Sequence, residues 1–146
     1  MPSVRSMKCS DVEAVAKLEA QIFTDAWSEK SISETLDQPQ AFILVAEQAD
    51  EIVGYCIVYY VLDEAEIARI AVDSSKRKQG VGQALLRATC RSCMEKEITR
   101  VLLDVRESNA SARRFYESFG FLEDGIRKNF YQNPKEHAVL MSMSIG

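Results

Sequence analysis

Residues 41–62 restrict the fold more than any other stretch of this chain. They read AFILVAEQ, then a polar ADE, then IVGYCIVYYVL. Both flanks are rich in β-branched and aromatic residues, which suit a pleated strand, and the polar break suits a tight hairpin turn. AEIARIAV follows, apolar apart from Glu66 and Arg69 and with β-branched residues at 67, 70 and 72. It reads as a further strand.

Helical periodicity surrounds this strand block. SDVEAVAKLEAQIF opens on an N-cap candidate, Ser10, with Glu13 three residues on, as in a capping box. Its apolar stripe is Val12, Val15, Leu18 and Ile22, which leaves Glu13, Lys17 and Glu19 toward solvent. SEKSISETLD is a second short helix, opened by Ser28 and closed before Pro39. PSVRSM is a short first strand. GVGQALLRATCRSCMEKE is helical, RVLLDV is a short buried strand, and NASARRFYESFG is a helix from Asn109 to a Gly120 C-cap. FLEDGIRKNFYQNP and EHAVLMSMSI pair as a last hairpin around Asn133 and Pro134. The order is β-α-α-β-β-β-α-β-α-β-β. Without linker or repeat, it predicts one mixed α/β domain over residues 1–146.

Bulk properties narrow the function classes. An apolar fraction of 47% and a charged fraction of 27% belong to an ordinary globular protein. No apolar run approaches the ~20 residues that cross a bilayer. The N-terminal MPSVRSMKCSDVEAV lacks the apolar segment of a secretory signal, so the expected location is cytoplasmic, with no membrane partner. A net charge of −4 is a poor start for non-specific nucleic-acid binding, so no direct nucleic-acid partner is expected. The charge suits a basic partner, or a small anion held at one local basic spot. Of the four cysteines, only Cys90 and Cys93 have C-x-x-C spacing, and no second pair completes a zinc site. They lie well inside a helical run, where a partly buried face is the commoner reading than a redox pair.

That basic spot is KRKQGVGQ, residues 76–83, between the strand ending near Val72 and the helix beginning near Gly82. Gly80 and Gly82 permit backbone conformations closed to other residues and remove Cβ atoms from a ligand's path. The N–H groups and positive dipole end of a helix N-terminus bind anions, and Arg77 and Lys78 add charge. A phosphate-bearing cofactor fits; so does a solvated glycine turn. No lysine follows the glycines as a P-loop requires, and Leu85 stands where a dinucleotide fingerprint wants a small residue.

Arg77-Lys78-Gln79-Gly80-Val81-Gly82, after a strand and before a helix, resembles the acyl-CoA motif [R/Q]-x-x-G-x-G of the GNAT N-acetyltransferases, and the element order is similar to that fold. WSEK, VLDEAEIARIAV, QGVGQALL, DVRESNASARRFYESFGF and IRKNFY, spanning Trp27 to Tyr131, resemble the bacterial RimI family. That family acetylates the N-terminal alanine of a small-subunit ribosomal protein. The resemblance implies a mostly antiparallel central sheet flanked by helices, acetyl-CoA as co-substrate and a protein N-terminus as acceptor. It implies that backbone groups of Ile70, Ala71 and Val72 meet the pantetheine arm and thioester. Residues 78 to 83, Lys78 to Gln83, then hold the pyrophosphate, and Asn109 contacts CoA while capping its helix.

Tyr116 matches the family's tyrosine general acid; its alternative is packing among Phe115, Phe119 and Phe121. Asp104 falls where the family carries a glutamate base. Aspartate is one methylene shorter, which sets the carboxylate back ~1.5 Å. The alternative is an ion pair with Arg106 or Arg69, and Glu64 and Glu66 are reserve bases. Trp27 and Tyr131 are expected either to frame the acceptor groove or to anchor their own segments. Asp25, Glu29 and Glu64 are acidic candidates at its mouth, and His137, in the last strand, reads as structural or exposed rather than catalytic. An α-amine, with a pKa near ~7.8 against ~10.4 for lysine, is neutral some hundreds of times more often at pH 7. This favours an N-terminus over lysine as acceptor. The competing readings are a small-amine or lysine acetyltransferase and a non-catalytic acyl-CoA-binding module.

Overall fold

The computed structural model describes residues 2–132 and 134–146. In chain order the elements are β1 (Ser3–Ser6), α1 (Val12–Ile22), α2 (Glu29–Leu36), β2 (Ala41–Gln48), β3 (Glu51–Val61) and β4 (Glu64–Val72). There follow α3 (Val81–Glu95), β5 (Arg100–Arg106), α4 (Ala110–Phe119), β6 (Leu122–Tyr131) and β7 (Glu136–Ser144). The expected order is met element for element. Asn133, expected in the last turn, lies outside the described residues.

The central hairpin turns on Ala49 and Asp50 alone, at φ 53° and 64°, and Glu51 already belongs to β3. Two left-handed residues give the primed kind of turn, whose twist matches that of the flanking strands. The sheet runs β1-β2-β3-β4-β5-β7-β6, and only β4 and β5 are parallel neighbours. It is the mixed, mostly antiparallel sheet that the family resemblance implies.

β3 is buried on both faces, which accounts for its almost unbroken apolar run. Tyr55 and Ile57 join Val12, Val15 and Leu18 of α1 and Ile32 of α2 in one core. Cys56 and Val58 join Leu85, Leu86 and Cys93 of α3, with Val101, Leu103 and Val105 of β5, in the other. Cys93 is buried and Cys90 partly so, and desolvation pushes the Cys93 thiol up to about 11. The pair is a packed helix face.

Two details of α1 depart from the sequence reading. A single 3-10 turn, Cys9–Asp11, precedes it, and the capping carboxylate is Asp11, which accepts the Lys8 N–H at 2.8 Å and Arg5 Nη1 at 2.7 Å. Ser10 and Glu13 do not form the box. Glu19 does not face solvent; it is fully buried.

β4 positions the site. It pairs with β5 only from Glu64↔Arg100 to Ile67↔Leu103, and beyond that the two strands diverge. On its other edge, Val58 faces Ile67 while Ile57 faces Arg69, so Ala68 is an extra, bulged residue. The bulge reverses side-chain parity. Ala65 and Ile67, then Ile70 and Val72, pack toward α3, while Arg69 and Ala71 turn toward α1.

Candidate active site

Where β4 and β5 part, a cleft of about 1140 Å³ opens. Residues 66–72 line one side and residues 103–106 the other. Residues 76–78, the start of α3 and Asn109, Phe115 and Tyr116 also line it. All the expected cofactor-binding residues except Gln79 are therefore on its wall. Gln79 instead directs its amide to the Ser75 carbonyl at 3.5 Å.

The glycine turn is built for close backbone approach at one position and for packing at the other. Gly80 caps α3 at φ +85°, and a Cβ there would meet nothing within 4 Å. A Cβ on Gly82 would stand 3.1 Å from Cζ of Phe115, so this glycine lets α4 lie against α3. The first α3 bond runs from Ala84 N–H to Gly80 O at 3.0 Å. The N–H groups of residues 81–83 precede it and have no partner within the helix. Arg77 folds back, its Nε donating to the Val72 carbonyl at 3.2 Å. A diphosphate fits this cradle of main-chain donors with Lys76, Arg77 and Lys78 beside it.

The vertex holds the titratable groups. Val101, Leu103 and Val105 share a core with Tyr116, so strand alternation turns Asp104 and Arg106 to the opposite face. Asp104 and Tyr116 thus flank the cleft from its two faces. Burial pushes the Asp104 carboxyl above the ordinary carboxylate range, with Arg127 pulling weakly the other way. Glu66, on the facing strand, is raised first by burial and then by the charge of Asp104. Both arginines that might have paired with Asp104 are engaged elsewhere. Arg69 holds Glu19 and Asp25, and Arg106 holds Glu136 at 3.3 Å.

Tyr116 is 9% exposed and packs edge-on to Phe121 at 5.8 Å and tilted on Phe115 at 5.4 Å. Burial raises its phenol pKa, so it stays protonated at neutral pH. The same residue packs in this aromatic cluster and lines the cleft. Asn109 caps α4, its Oδ1 accepting the Ala112 N–H at 3.1 Å, while also lining the cleft.

The other candidates divide. Tyr131 lines the cleft, its phenol pushed up to about 12 mainly by burial, with the Arg106 guanidinium 4.4 Å from its ring centre. Asp25 lines it too. Glu64 instead pairs with Arg100 at 3.4 Å at the far end of β4, and Glu29 opens α2 outside the cleft lining. Trp27 lines a separate groove of about 620 Å³ with Ser31, Thr35 and Tyr59. It also packs on the α1–α2 core, so anchoring is part of its role. His137 accepts the Asn129 N–H at Nδ1, 2.9 Å, within the last hairpin.

Sequence reasoning missed the bulge at Ala68 and the buried Glu19–Arg69 pair. The signal for the first was present, since apolar parity changes between Ile67 and Ile70.

A sheet opened at its one parallel pair beside a helix N-terminus is the architecture of an N-acetyltransferase. The chain belongs to the acetyltransferase (GNAT) family, whose sequence profile matches residues 12–121. Among its relatives, the [ribosomal protein bS18]-alanine N-acetyltransferase of Escherichia coli (strain K12) is 32% identical over 149 residues, covering 100% of this chain and 99% of that one. A Bacillus subtilis (strain 168) protein that bears the same name provisionally is 38% identical over 145 residues, 99% of this chain and 96% of its own. The crystal structure of the Escherichia coli ribosomal-protein-S18-alanine N-acetyltransferase superposes with a TM-score of 0.91 at 32% identity, covering 100% of this chain and 95% of that one. Among the described residues, no helix is long and apolar enough to cross a membrane.

Proposed function

We propose that residues 1–146 form one acetyltransferase domain that moves the acetyl group of acetyl-CoA to the N-terminal α-amine of a protein in the cytoplasm. The favoured acceptor is an alanine that begins ribosomal protein bS18, the substrate named for the relatives. The observation that carries this reading is the placement of Asp104 and Tyr116 on opposite faces of the β4–β5 vertex. An amine arriving on one face meets a carboxylate, and a thiol departing on the other meets a phenol.

Acetyl-CoA supplies an activated acetyl thioester when bound. Residues 80–83 and the basic run hold its diphosphate, and Asn109 adds a polar contact. Past Ile67, the β5-facing N–H and C=O groups of β4 have no strand partner among the described residues. Asp73 N–H bonds to Val53 of β3, so alternation leaves the groups of Ile70 and the Val72 N–H, not those of Ala71, available to the pantetheine arm. A main-chain N–H near the bulge, aimed at the thioester oxygen, stabilises the charge that builds there, an effect worth ~3 kcal/mol for one preorganised donor. Asp104 accepts the amine proton as the new bond forms, directly or through one water. Tyr116 delivers its phenolic proton to the leaving sulfur.

Gly80 gives a test of the cradle. Gly80→Ala places a side chain at a left-handed φ that costs about 1–2 kcal/mol, in space that is otherwise open. Acetyl-CoA affinity, measured by calorimetry, should fall about tenfold. Gly80→Asn, which tolerates that conformation better, should lose less.

The acceptor class is tested by thiol release from acetyl-CoA with an alanine-initiated peptide, the same peptide with a blocked N-terminus, free alanine and a polyamine. Turnover with the free-terminus peptide alone is expected. Turnover with the polyamine but not the peptide would replace this reading with a small-amine enzyme, and acetyl-CoA binding without any turnover would leave a binding module.

A further inference from the structure

The buried carboxylate of α1 is the least expected group in the molecule. Glu19 has 0% exposure, yet each of its oxygens is occupied. Oε1 accepts the Tyr55 hydroxyl, and Oε2 accepts Arg69 Nε at 3.0 Å and the Trp27 N–H at 2.9 Å. Arg69 goes further. Its Nη2 donates to the Asp25 carbonyl at 3.0 Å and to Asp25 Oδ1 at 3.2 Å. Its Cζ lies 3.9 Å from the ring centre of Phe23 and 5.8 Å from that of Trp27.

Apart from the Glu19–Arg69 pair itself and the bond with Tyr55, every one of these contacts reaches the segment 23–28 between α1 and α2, which has no regular structure of its own. Phe23 and Asp25 face the large cleft, while Ala26, Trp27 and Ser28 face the smaller groove, so the segment is the partition between them. Arg69 is the residue immediately after the Ala68 bulge, and it lies on the same face of the sheet as Asp104. A single guanidinium therefore ties the strand at the vertex to the wall of its amine-side face. A buried ion pair contributes little net stability compared with apolar packing, because desolvation offsets the attraction. What a ring-stacked guanidinium bridging two carboxylates does supply is fixed geometry.

We propose that Arg69 is a positioning residue for the acceptor: through Glu19, Asp25 and the Phe23 and Trp27 rings it fixes segment 23–28 as the wall against which the amine-bearing chain lies. The inference rests on the transfer to a protein α-amine proposed above. It assigns to Arg69 no contact with the reacting atoms.

The test uses the double variant Glu19→Gln/Arg69→Met, which removes both charges together so that neither is left buried alone. Arg69→Lys is the companion, keeping the charge but losing the fork. In the double variant the peptide KM should rise about tenfold, as misplacement of a bound group does, with acetyl-CoA affinity held within about twofold. Trp27 is the only tryptophan, so acrylamide quenching of its fluorescence reads the wall directly, and it should increase. Arg69→Lys should move both readouts in the same direction by less. A folded double variant with unchanged quenching and unchanged peptide KM would overturn the proposal, as would peptide and acetyl-CoA affinities that fall together. A wild-type protein that acetylates no α-amine would sink the functional reading and the acceptor role with it, while the quenching arm would still decide, without a substrate, whether Arg69 fixes segment 23–28.

Discussion

Tyr116→Phe should bind acetyl-CoA as tightly as the wild type and turn over about 10²–10⁴ times more slowly, the usual worth of a positioned acid. The ring is almost wholly buried against Phe115 and Phe121, and phenylalanine preserves both contacts. Burial holds the phenol above its ordinary pKa, so at neutral pH it carries the proton that the sulfur needs. The loss should therefore appear in kcat, with the KM for acetyl-CoA nearly constant, because the proton moves only as the bond breaks. Steady-state thiol release and calorimetry on the same preparation check this. A fall in kcat below about threefold would reduce Tyr116 to a packing residue.

Asp104→Asn should separate stability from activity. Without the carboxylate, kcat/KM for the peptide should drop about 100-fold or more. Asp104→Glu, which keeps the charge and advances it ~1.5 Å, should retain turnover. The melting temperature should move the other way. Burial raises the folded-state pKa of Asp104, so the folded protein binds this proton more tightly than the unfolded chain does. Its ionisation opposes folding above the folded-state pKa, and the penalty fades as the pH falls through that value. The asparagine variant should melt higher than the wild type at pH 7, with the advantage shrinking in acid and absent below the unfolded carboxylate's pKa. Thermal melts across that range test it. An asparagine variant less stable at pH 7 would mean that the attraction of Arg127 outweighs burial, contrary to the order of causes found here.

Local chemistry made much of this fold readable. The hairpin of residues 41–61 is written in β-branched residues around a two-residue turn, and Ser28 caps α2 by accepting the Ser31 N–H at 3.0 Å. Gly80, left-handed at the start of α3, stood out because few residues tolerate that backbone. Long-range pairings were the parts that stayed hidden. Glu19 sits beside an apolar stripe and reads as solvent-facing until Arg69, fifty residues on, is folded against it. Asp11 takes the capping role because Arg5 and Lys8 converge on it. The candidate site was legible as residue types and spacing: glycines after a basic run, a carboxylate at a strand end, a tyrosine in an aromatic helix. Its two-faced arrangement was not, because that follows from the divergence of β4 and β5 past Ile67 and Leu103 and from the parity change at Ala68.

The central claim is transfer to an α-amine across the β4–β5 vertex. Its most direct measurement is mass spectrometry of an alanine-initiated peptide that carries an internal lysine, incubated with acetyl-CoA and the purified protein. One acetyl group on the N-terminal nitrogen, none on the lysine, and none anywhere with the Asp104→Asn or Tyr116→Phe variant over the same interval is the predicted result. Acetylation of the lysine in preference to the terminus, or a terminal acetyl that forms as fast with both variants, would contradict it.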